Sequence, residues 1–409
     1  MVPAFRTTTS SASRALAALF LTLGSGFCPD HAVAAQATAQ RRYEAILRTF
    51  RDTKNPPVPL LAAEVAWSVK IGIQPSAPAV QDADRVYIPL RENMLVALQR
   101  ESGVVAWIRE VETAASLAVG ADALFVAGAG TLRALDAATG AERWSVPLEA
   151  TQTTPLVFDS GWLIAVVEPG EVRAFRAGDG RQMWRRPLGA AAPHPPVPGG
   201  ERALYLSLAD SRVLALALDT GEPLWEQQLA GTLSPPAAAR DRVFVGSTNN
   251  FFYALDPADG SIRWQWRNGG DVIGAAVDGE VVYFASLDNI IRAVNRGNGN
   301  QRWRKPTGTR PVQPPAAFRG IVVLPGLSPA VTVFVGETGA VMGTYTAKGD
   351  LLGPPLLDPA PKPFQVAFIT LTREGVVEAL RPAALMLRED KPVTPTALPG
   401  RALGRERVE

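Results

Sequence analysis

The side chains best suited to bind a metal ion or a protein partner lie in short polar stretches between apolar runs. Most are carboxylates and amides, which supply oxygen ligands to Ca²⁺ and hydrogen bonds to a protein surface. They occur one to three at a time, whereas Ca²⁺ takes about six to eight oxygen ligands, and Asp or Asn in a tight turn usually serves turn geometry. The candidate partner-binding residues are Arg91, Glu92, Asn93, Asp210, Asn249, Asn250, Asp271, Asp288 and Asn289.

Residues for nucleophilic or metal-assisted catalysis are scarce in the sequence. The chain has one cysteine, Cys28, and two histidines, His31 and His194. The sequence shows no nucleophile elbow, phosphate-binding glycine loop or zinc-ligand spacing. His194 stands among prolines without an evident acidic partner, so we interpret it as a loop residue. The sequence therefore predicts no catalytic residue, no metal ligand and no cofactor ligand.

The elements that must position these loops belong to a repeat. Its clearest copy runs from Ala134 to Trp144 and contains Asp136, Thr139 and Gly140. The Asp accepts hydrogen bonds from turn N–H groups, the Gly permits a positive φ, and the Trp offers a large surface to the next repeat. We assign these residues to the fold, with the tryptophans of the other copies, Trp67, Trp107, Trp184, Trp225, Trp264 and Trp303, which recur every 37–41 residues.

Each period of the repeat contains four short runs of β-branched and aromatic residues. In the unit that ends at Trp303, strands are expected at 272–276, 281–285, 290–294 and 301–305. Four antiparallel strands in about 40 residues are typical of one blade of a β-propeller.

The two ends of the repeat array complete one another. A strand at 65–69 has no unit before it, and strands at 366–371 and 375–380 have no tryptophan strand after them. The proline-rich segment 353–363 is where an irregular strand of that shared blade is expected, and a worn seventh unit has Gly343 in place of tryptophan. The sequence thus predicts an all-β, eight-bladed propeller of four-stranded antiparallel blades, closed by N- and C-terminal strands that share one blade.

The N-terminal residues predict export. Residues 1–35 read as a signal peptide, with Arg6 and Arg14 before an apolar core and small residues before Gln36. The mature protein is therefore expected in the periplasm or another extracytoplasmic compartment. Lipid attachment through Cys28 is the alternative, which Phe27 disfavours because a small residue is expected at that position.

The remaining boundaries follow from composition and periodicity. Residues 36–60 are predicted to form a helix and linker, 61–382 the propeller, and 383–409 a disordered tail. The helix carries an apolar stripe that packs on the propeller or binds a partner, formed by Tyr43, Ile46, Leu47 and Phe50.

Net charge and hydropathy exclude two classes of partner. The chain has 41 basic and 39 acidic residues, without the basic excess of a nucleic-acid-binding protein. After the signal peptide no apolar run is long enough to span a bilayer.

Ala134, Asp136, Thr139, Gly140 and Trp144 resemble the tryptophan-docking repeat of the quinoprotein-like (PQQ-like) propellers, and the resemblance covers nearly all of the chain after residue 60. This superfamily has an enzymatic branch, the dehydrogenases that use pyrroloquinoline quinone (PQQ), and a non-catalytic branch, the BamB-type assembly factors of the outer membrane. The dehydrogenases imply a Ca²⁺ site, a catalytic Asp and commonly a pair of adjacent cysteines. The chain has no such pair, and its size matches the second branch.

The resemblance implies a scaffold that binds an envelope protein, with an outer-membrane barrel insertase as the candidate partner and no cofactor. The alternatives are a PQQ-binding quinoprotein with calcium, either dehydrogenase or sensor, and a periplasmic propeller that binds a sugar or peptide in its channel mouth.

Overall fold

The computed structural model describes residues 63–113, 117–200, 202–327, 329–358 and 368–382. The predicted signal peptide, N-terminal helix and C-terminal tail lie outside these residues. Every regular element within them is a strand, and the strands form eight antiparallel sheets of four. The predicted eight-bladed, all-β propeller is therefore confirmed.

Seven blades each contain four consecutive strands, which run from the central channel outward. The strands of blades 1 and 2 are β2 (Val80–Gln81), β3 (Arg85–Leu90), β4 (Met94–Gln99), β5 (Val105–Glu110), β6 (Ala118–Gly120), β7 (Ala123–Gly128), β8 (Thr131–Asp136) and β9 (Glu142–Pro147). The strands of blades 3 and 4 are β10 (Val157–Asp159), β11 (Trp162–Val167), β12 (Glu171–Arg176), β13 (Gln182–Pro187), β14 (Val197–Gly199), β15 (Ala203–Ser207), β16 (Arg212–Ala217) and β17 (Pro223–Gln228). The strands of blades 5 to 7 are β18 (Ala237–Ala238), β19 (Val243–Gly246), β20 (Phe251–Leu255), β21 (Ile262–Arg267), β22 (Val272–Asp278), β23 (Val281–Ser286), β24 (Ile290–Asn295), β25 (Gln301–Pro306), β26 (Ala316–Phe318), β27 (Ile321–Pro325), β28 (Ala330–Val335) and β29 (Val341–Thr346).

Blade 8 joins the two ends of the ring. It contains β30 (Leu356–Leu357), β31 (Phe368–Leu371), β32 (Val376–Pro382) and β1 (Ala63–Lys70), and β1 pairs with β32 as its outermost strand. The short β30 lies in the proline-rich segment, where an irregular strand was expected. The pairing confirms the predicted closure and leaves no open blade edge between first and last repeat.

The core lies between blades, because each sheet packs against a neighbour on both sides. The second strands of the blades are therefore buried along almost their whole length, and their aromatic residues Tyr87, Phe125, Tyr205, Phe244 and Tyr283 are at most 2% exposed. The outermost strands instead alternate between partly buried and exposed positions, as in β9 and β13.

Tryptophans join neighbouring blades at seven of the eight boundaries in the part of the chain that the structure describes. Each indole Nε1 donates to a backbone carbonyl in the turn between third and fourth strands of the next blade, over 2.7–3.1 Å. The glycine of that turn lies against the indole ring. The donors are Trp67, Trp107, Trp144, Trp184, Trp225, Trp264 and Trp303.

A polar contact replaces the tryptophan at the boundary between blades 7 and 8. Gly343 stands opposite Val333, in the register that tryptophan occupies in other blades. Two residues later, the Tyr345 hydroxyl donates to the Glu378 carboxylate of blade 8, and Lys348 Nζ lies 2.8 Å from Glu378 Oε1. Glu378 is 1% exposed, so this carboxylate is buried between the two blades.

The ring has two faces. The loop face carries the connections between second and third strands and those between successive blades; the turn face carries the other turns. On the loop face, the N–H of the residue after each outermost strand donates to a carbonyl in the second-to-third-strand loop of its own blade. This bond measures 2.6–3.0 Å and recurs in all eight blades, which fixes the two kinds of loop against each other.

Candidate partner-binding loops

All nine candidate residues lie on the loop face. They fall in the β3–β4, β15–β16, β19–β20 and β23–β24 loops and at the connection between β21 and β22. Blades 1, 4, 5 and 6 therefore each contribute, and the structure brings only those of blades 5 and 6 together. There the Asp271 carbonyl accepts a hydrogen bond from the Leu287 N–H over 2.8 Å.

In blade 1 the candidate residues form a tight hairpin turn. Glu92 and Asn93 have φ of 62° and 58°, the left-handed conformation that Asn tolerates better than most residues. The side chains of Arg91, Glu92 and Asn93 are exposed. Asn93 borders a cavity of about 420 Å³ whose other lining residues are Glu110, Val111, Glu112, Arg133 and Glu142. The surplus of carboxylates suits this corner to basic groups of a partner.

In blade 4 Asp210 is exposed and forms an ion pair with Arg212, whose Nε lies 2.7 Å from the carboxylate. Arg212 also contacts Glu226 over 2.9 Å and donates to the Leu188 carbonyl over 3.0 Å. The charge of the Asp210 carboxylate is therefore already neutralised by the Arg212 guanidinium, which its other contacts hold in place.

In blade 5 the Asn249 side chain is used within its own loop. Its Nδ2 donates to the Tyr253 hydroxyl over 2.7 Å, and its Oδ1 accepts from the Phe251 N–H over 3.0 Å. Asn250 has φ of 68°, and its carbonyl accepts from the Asn268 N–H over 2.7 Å. Both residues therefore shape the turn.

In blade 6 Asp288 is an internal anchor. Its Oδ2 accepts from Arg292 over 2.7 Å, its Oδ1 accepts from the Ser286 hydroxyl over 2.6 Å, and both side chains of the ion pair are largely buried. Burial alone would raise the pKa of Asp288. The hydrogen bonds from Arg292 and Ser286 lower it by more than burial raises it, so the pKa lies below the ordinary value. The Asp288 side chain is therefore ionised and committed to Arg292.

Glycines let the blade 5–6 connection pass directly over Asp288. A Cβ on Gly270 would lie 2.7 Å from the Asp288 nitrogen, and one on Gly269 would lie 3.0 Å from Asp288 Oδ2. The next residue, Asn289, has φ of 60° and an exposed side chain. Of this loop, the Asn289 side chain rather than that of Asp288 faces solvent.

Six candidate side chains make no hydrogen bond or ion pair within the described residues: Arg91, Glu92, Asn93, Asn250, Asp271 and Asn289. Four of the six are exposed and therefore free to contact a partner: Arg91, Glu92, Asn93 and Asn289. The sequence does not separate bonded from free candidates. Asp288 and Asn289, for example, are adjacent polar residues, and only the structure shows that the first points into the loop and the second to solvent.

The three candidate carboxylates, Asp210, Asp271 and Asp288, do not come together as the ligands of one metal ion would. No group of three or more His, Cys, Asp or Glu side chains in the described ranges is placed to hold a metal ion. Asp210, Asp271 and Asp288 lie in or beside three different blade loops, and two of them face an arginine. The donor set therefore does not fit the oxygen cage that Ca²⁺ with PQQ would need.

His194 lies at a boundary between blades, where its Nε2 is 3.1 Å from the Leu233 carbonyl. Burial lowers the pKa of His194 below its ordinary value, so the imidazole is neutral at pH 7. The side chain joins two inter-blade connections and has the loop role inferred from the sequence.

Sequence reasoning missed a groove on the loop face between blades 7 and 8, which is lined by both aliphatic and polar residues. Its exposed aliphatic residues are Val312 and Leu327, with 47% and 69% of their surface exposed. The sequence signal for them was an aliphatic residue in an irregular loop between two strands.

The fold and its docking contacts define a class of protein: an eight-bladed propeller built from tryptophan-docking repeats of the quinoprotein-like type. Within that class the chain belongs to the family described as outer membrane protein assembly factor BamB. The family model matches residues 91–232 and 209–353, which together span more than half of the chain. This confirms the resemblance inferred from the repeat. A search of curated proteins found no match.

Solved structures of several kinds share the fold. BamB from Moraxella catarrhalis is 17% identical, with a TM-score of 0.62 over 78% of this chain and 100% of that chain. The computationally designed Ika8 protein is 13% identical, with a TM-score of 0.66 over 77% and 99% of the two chains. The quinohemoprotein alcohol dehydrogenase ADHIIG from Pseudomonas putida HK5 is 14% identical, with a TM-score of 0.61 over 84% and 78%. At these identities the similarity shows the fold alone.

No helix in the described residues is long and apolar enough to cross a membrane.

Proposed function

We propose that the chain is an exported, non-catalytic scaffold that binds a protein partner through its loop face and acts in the assembly of outer-membrane β-barrel proteins. The observation that carries this proposal is the loop face itself. One hydrogen bond per blade fixes its loops against the ring, while the side chains of Arg91, Glu92, Asn93 and Asn289 stay exposed and free.

A rigid surface of this kind suits protein binding on energetic grounds. A loop that is already ordered loses little conformational entropy when it binds, so more of the contact energy appears as affinity. The free side chains are charged or amide groups, which give orientation and specificity to an interface more than raw affinity.

The family supports the finer parts of the proposal. The matching model carries the description of an outer membrane assembly factor, and the BamB fold is compatible with an extracytoplasmic protein. The partner we propose is an envelope protein, with an outer-membrane barrel insertase as the first candidate. The N-terminal signal features support a periplasmic location.

The test is site-specific photocrosslinking in intact cells. A photoreactive amino acid replaces Asn289 on the loop face and, as a matched control, Thr220 on the turn face, where the side chain is also exposed. Crosslinked proteins are identified by mass spectrometry. We expect an envelope protein, with a barrel insertase the most enriched, from Asn289 and not from Thr220.

Two results would contradict the scaffold. Equal crosslinking from both faces would remove the loop face as the binding surface, and no envelope partner from either face would remove the scaffold altogether. In the second case the purified protein is titrated with PQQ and Ca²⁺, since quinone binding is what the dehydrogenase branch of the fold predicts.

A further inference from the structure

The exposed large aliphatic residues of the described ring fall into two groups. Six lie within or directly before the first three residues of outermost strands, on the rim of the turn face: Val65, Val104, Met183, Leu224, Ile262 and Val341. The other two, Val312 and Leu327, are the only ones on the loop face, and they lie together at the junction of blades 7 and 8. Aliphatic surface is thus concentrated at one place on the face proposed to bind protein.

Val312 and Leu327 line a groove of about 350 Å³. Its other lining residues are Gln313, Pro325, Gly326, Asp350, Leu351 and Arg373, which belong to four different loops. The groove is therefore a feature of the assembled ring, since no single repeat supplies it.

Backbone contacts hold these loops in place. The Leu327 N–H donates to the Arg310 carbonyl and the Arg373 N–H donates to the Asp350 carbonyl, each over 2.8 Å. Isolated bridges join Pro311 to Gly326 and Leu351 to Thr372. A ligand of this groove meets a preformed surface.

Three polar groups at the groove lack partners among the described residues. Gln313 Oε1 is buried and accepts no hydrogen bond. The exposed side chains of Asp350 and Arg373 form no ion pair with a described residue. A buried acceptor left unsatisfied costs about 1–3 kcal/mol, so an N–H donor that reaches it is favoured.

We infer that this groove binds an extended peptide segment of the partner protein. An aliphatic side chain of the peptide lies between Val312 and Leu327, the half-buried Gln313 amide turns so that its Oε1 accepts a peptide N–H, and an acidic side chain pairs with Arg373. The inference rests on the proposed function and names the site and the chemistry of the segment. A lipid chain would satisfy the aliphatic surface but would bring no N–H to Gln313.

Asp350 sets the polarity of the segment. Its carboxylate repels a second acid and attracts a base or an amide, whereas Arg373 attracts an acid. The complementary peptide therefore carries an acid at the Arg373 end and a basic or amide side chain at the Asp350 end.

The probe is a library of random 12-residue peptides displayed on phage and selected on the purified chain. Selected peptides are synthesised, and their dissociation constants are measured by fluorescence polarisation on the original chain and on Leu327→Asp, Arg373→Ala and Gln313→Leu. The matched control is Leu224→Asp, which introduces the same charge at an exposed aliphatic residue on the opposite rim. Circular dichroism and melting temperature establish that each variant is folded.

We expect the selected peptides to share an aliphatic residue and an acid, and Leu327→Asp and Arg373→Ala to weaken their binding tenfold or more. Leu224→Asp should leave binding within twofold. Peptides that bind Leu327→Asp as tightly as the original chain would overturn the groove, as would failure to select any peptide.

The crosslinking experiment separates this inference from the proposed function. If Asn289 captures an envelope partner while no peptide depends on Leu327, the groove is overturned and the scaffold stands. If dimerisation rather than peptide binding is lost in Leu327→Asp, measured by sedimentation, the groove is an interface between copies of the chain and the inference is overturned.

Discussion

Trp303 lies flat against Gly339 of the next blade: a Cβ on Gly339 would come within 2.6 Å of the indole ring, whose Nε1 donates to the Gly336 carbonyl over 2.7 Å. One blade further on, Gly343 replaces the tryptophan. The reason is topological. In blade 8 the third and fourth strands come from opposite ends of the chain, so no turn links them and no turn glycine is present to receive an indole.

The two glycines of blade 7 should respond oppositely to the same substitution. Gly339→Ala places a Cβ against Trp303 at φ of +67°, which should destabilise the ring by roughly 1–3 kcal/mol. Gly343→Ala meets no atom within 4 Å and should be neutral or stabilise by up to about 1 kcal/mol through the unfolded chain. Urea unfolding measures both. Equal losses in the two variants would contradict the docking explanation.

Loss of one docking tryptophan should cost far more than loss of its exposed neighbour. Trp225 is 8% exposed and donates to the Pro257 carbonyl over 2.8 Å. Trp225→Ala should lower the free energy of unfolding by about 3–5 kcal/mol, because it leaves a cavity at a blade boundary. The control Leu224→Ser, at a residue 52% exposed, should change it by less than about 0.5 kcal/mol. Thermal denaturation ranks the two, and a small effect at Trp225 would argue against boundary packing.

The blade 7–8 contact should make stability depend on pH. Burial alone would raise the pKa of Glu378. Together, the hydrogen bonds from Lys348, Tyr345 and Ser68 lower it by more than burial raises it, so the folded-state pKa lies below the ordinary 4.5. A lowered carboxyl pKa stabilises the fold above pH 4.5, and this stabilisation disappears as the pH falls through the folded-state value.

The variant Glu378→Gln should therefore lose about 1–3 kcal/mol at pH 7, as expected for hydrogen bonds to a charged group. The difference in the free energy of unfolding between the variant and the original chain should shrink as the pH falls from 5 to 3, because the Glu378 carboxylate becomes protonated. Urea unfolding at several pH values measures it. A difference in unfolding free energy that stays constant with pH would contradict the claim that the ionised Glu378 stabilises this contact.

Asp288 and Asn289 should separate stability from binding. Asp288→Asn leaves the Arg292 guanidinium buried without its counter-charge and should destabilise the fold by about 3–5 kcal/mol. Asn289→Asp retains a residue type that tolerates the left-handed conformation and should change stability by less than about 0.5 kcal/mol. Chemical denaturation of both variants checks this. If Asn289→Asp unfolds the blade, it is unsuited to report on partner binding.

The fold was predictable because its determinants are periodic. Tryptophans at a spacing of 37–41 residues give the blade count, and the unpaired strand around Trp67 predicts the closure. The site was predictable only to the level of a face. That Asn249 turns inward to Tyr253 while Asn289 points outward depends on packing around each loop. The groove could not be predicted, because Val312 and Leu327 meet only when separate loops converge.

The pairing of Ala63 with Pro382 sets the order in which the ring can be built. Blades 1 to 7 consist of consecutive strands and can form as the chain emerges, whereas β1 must wait for a partner about 300 residues later. Contacts between such distant residues are slow to form because a long loop has to close first. A growing chain therefore keeps β1 unpaired until the strands of the last repeat arrive. During that interval another strand can pair with it, so chaperone protection should matter most for β1.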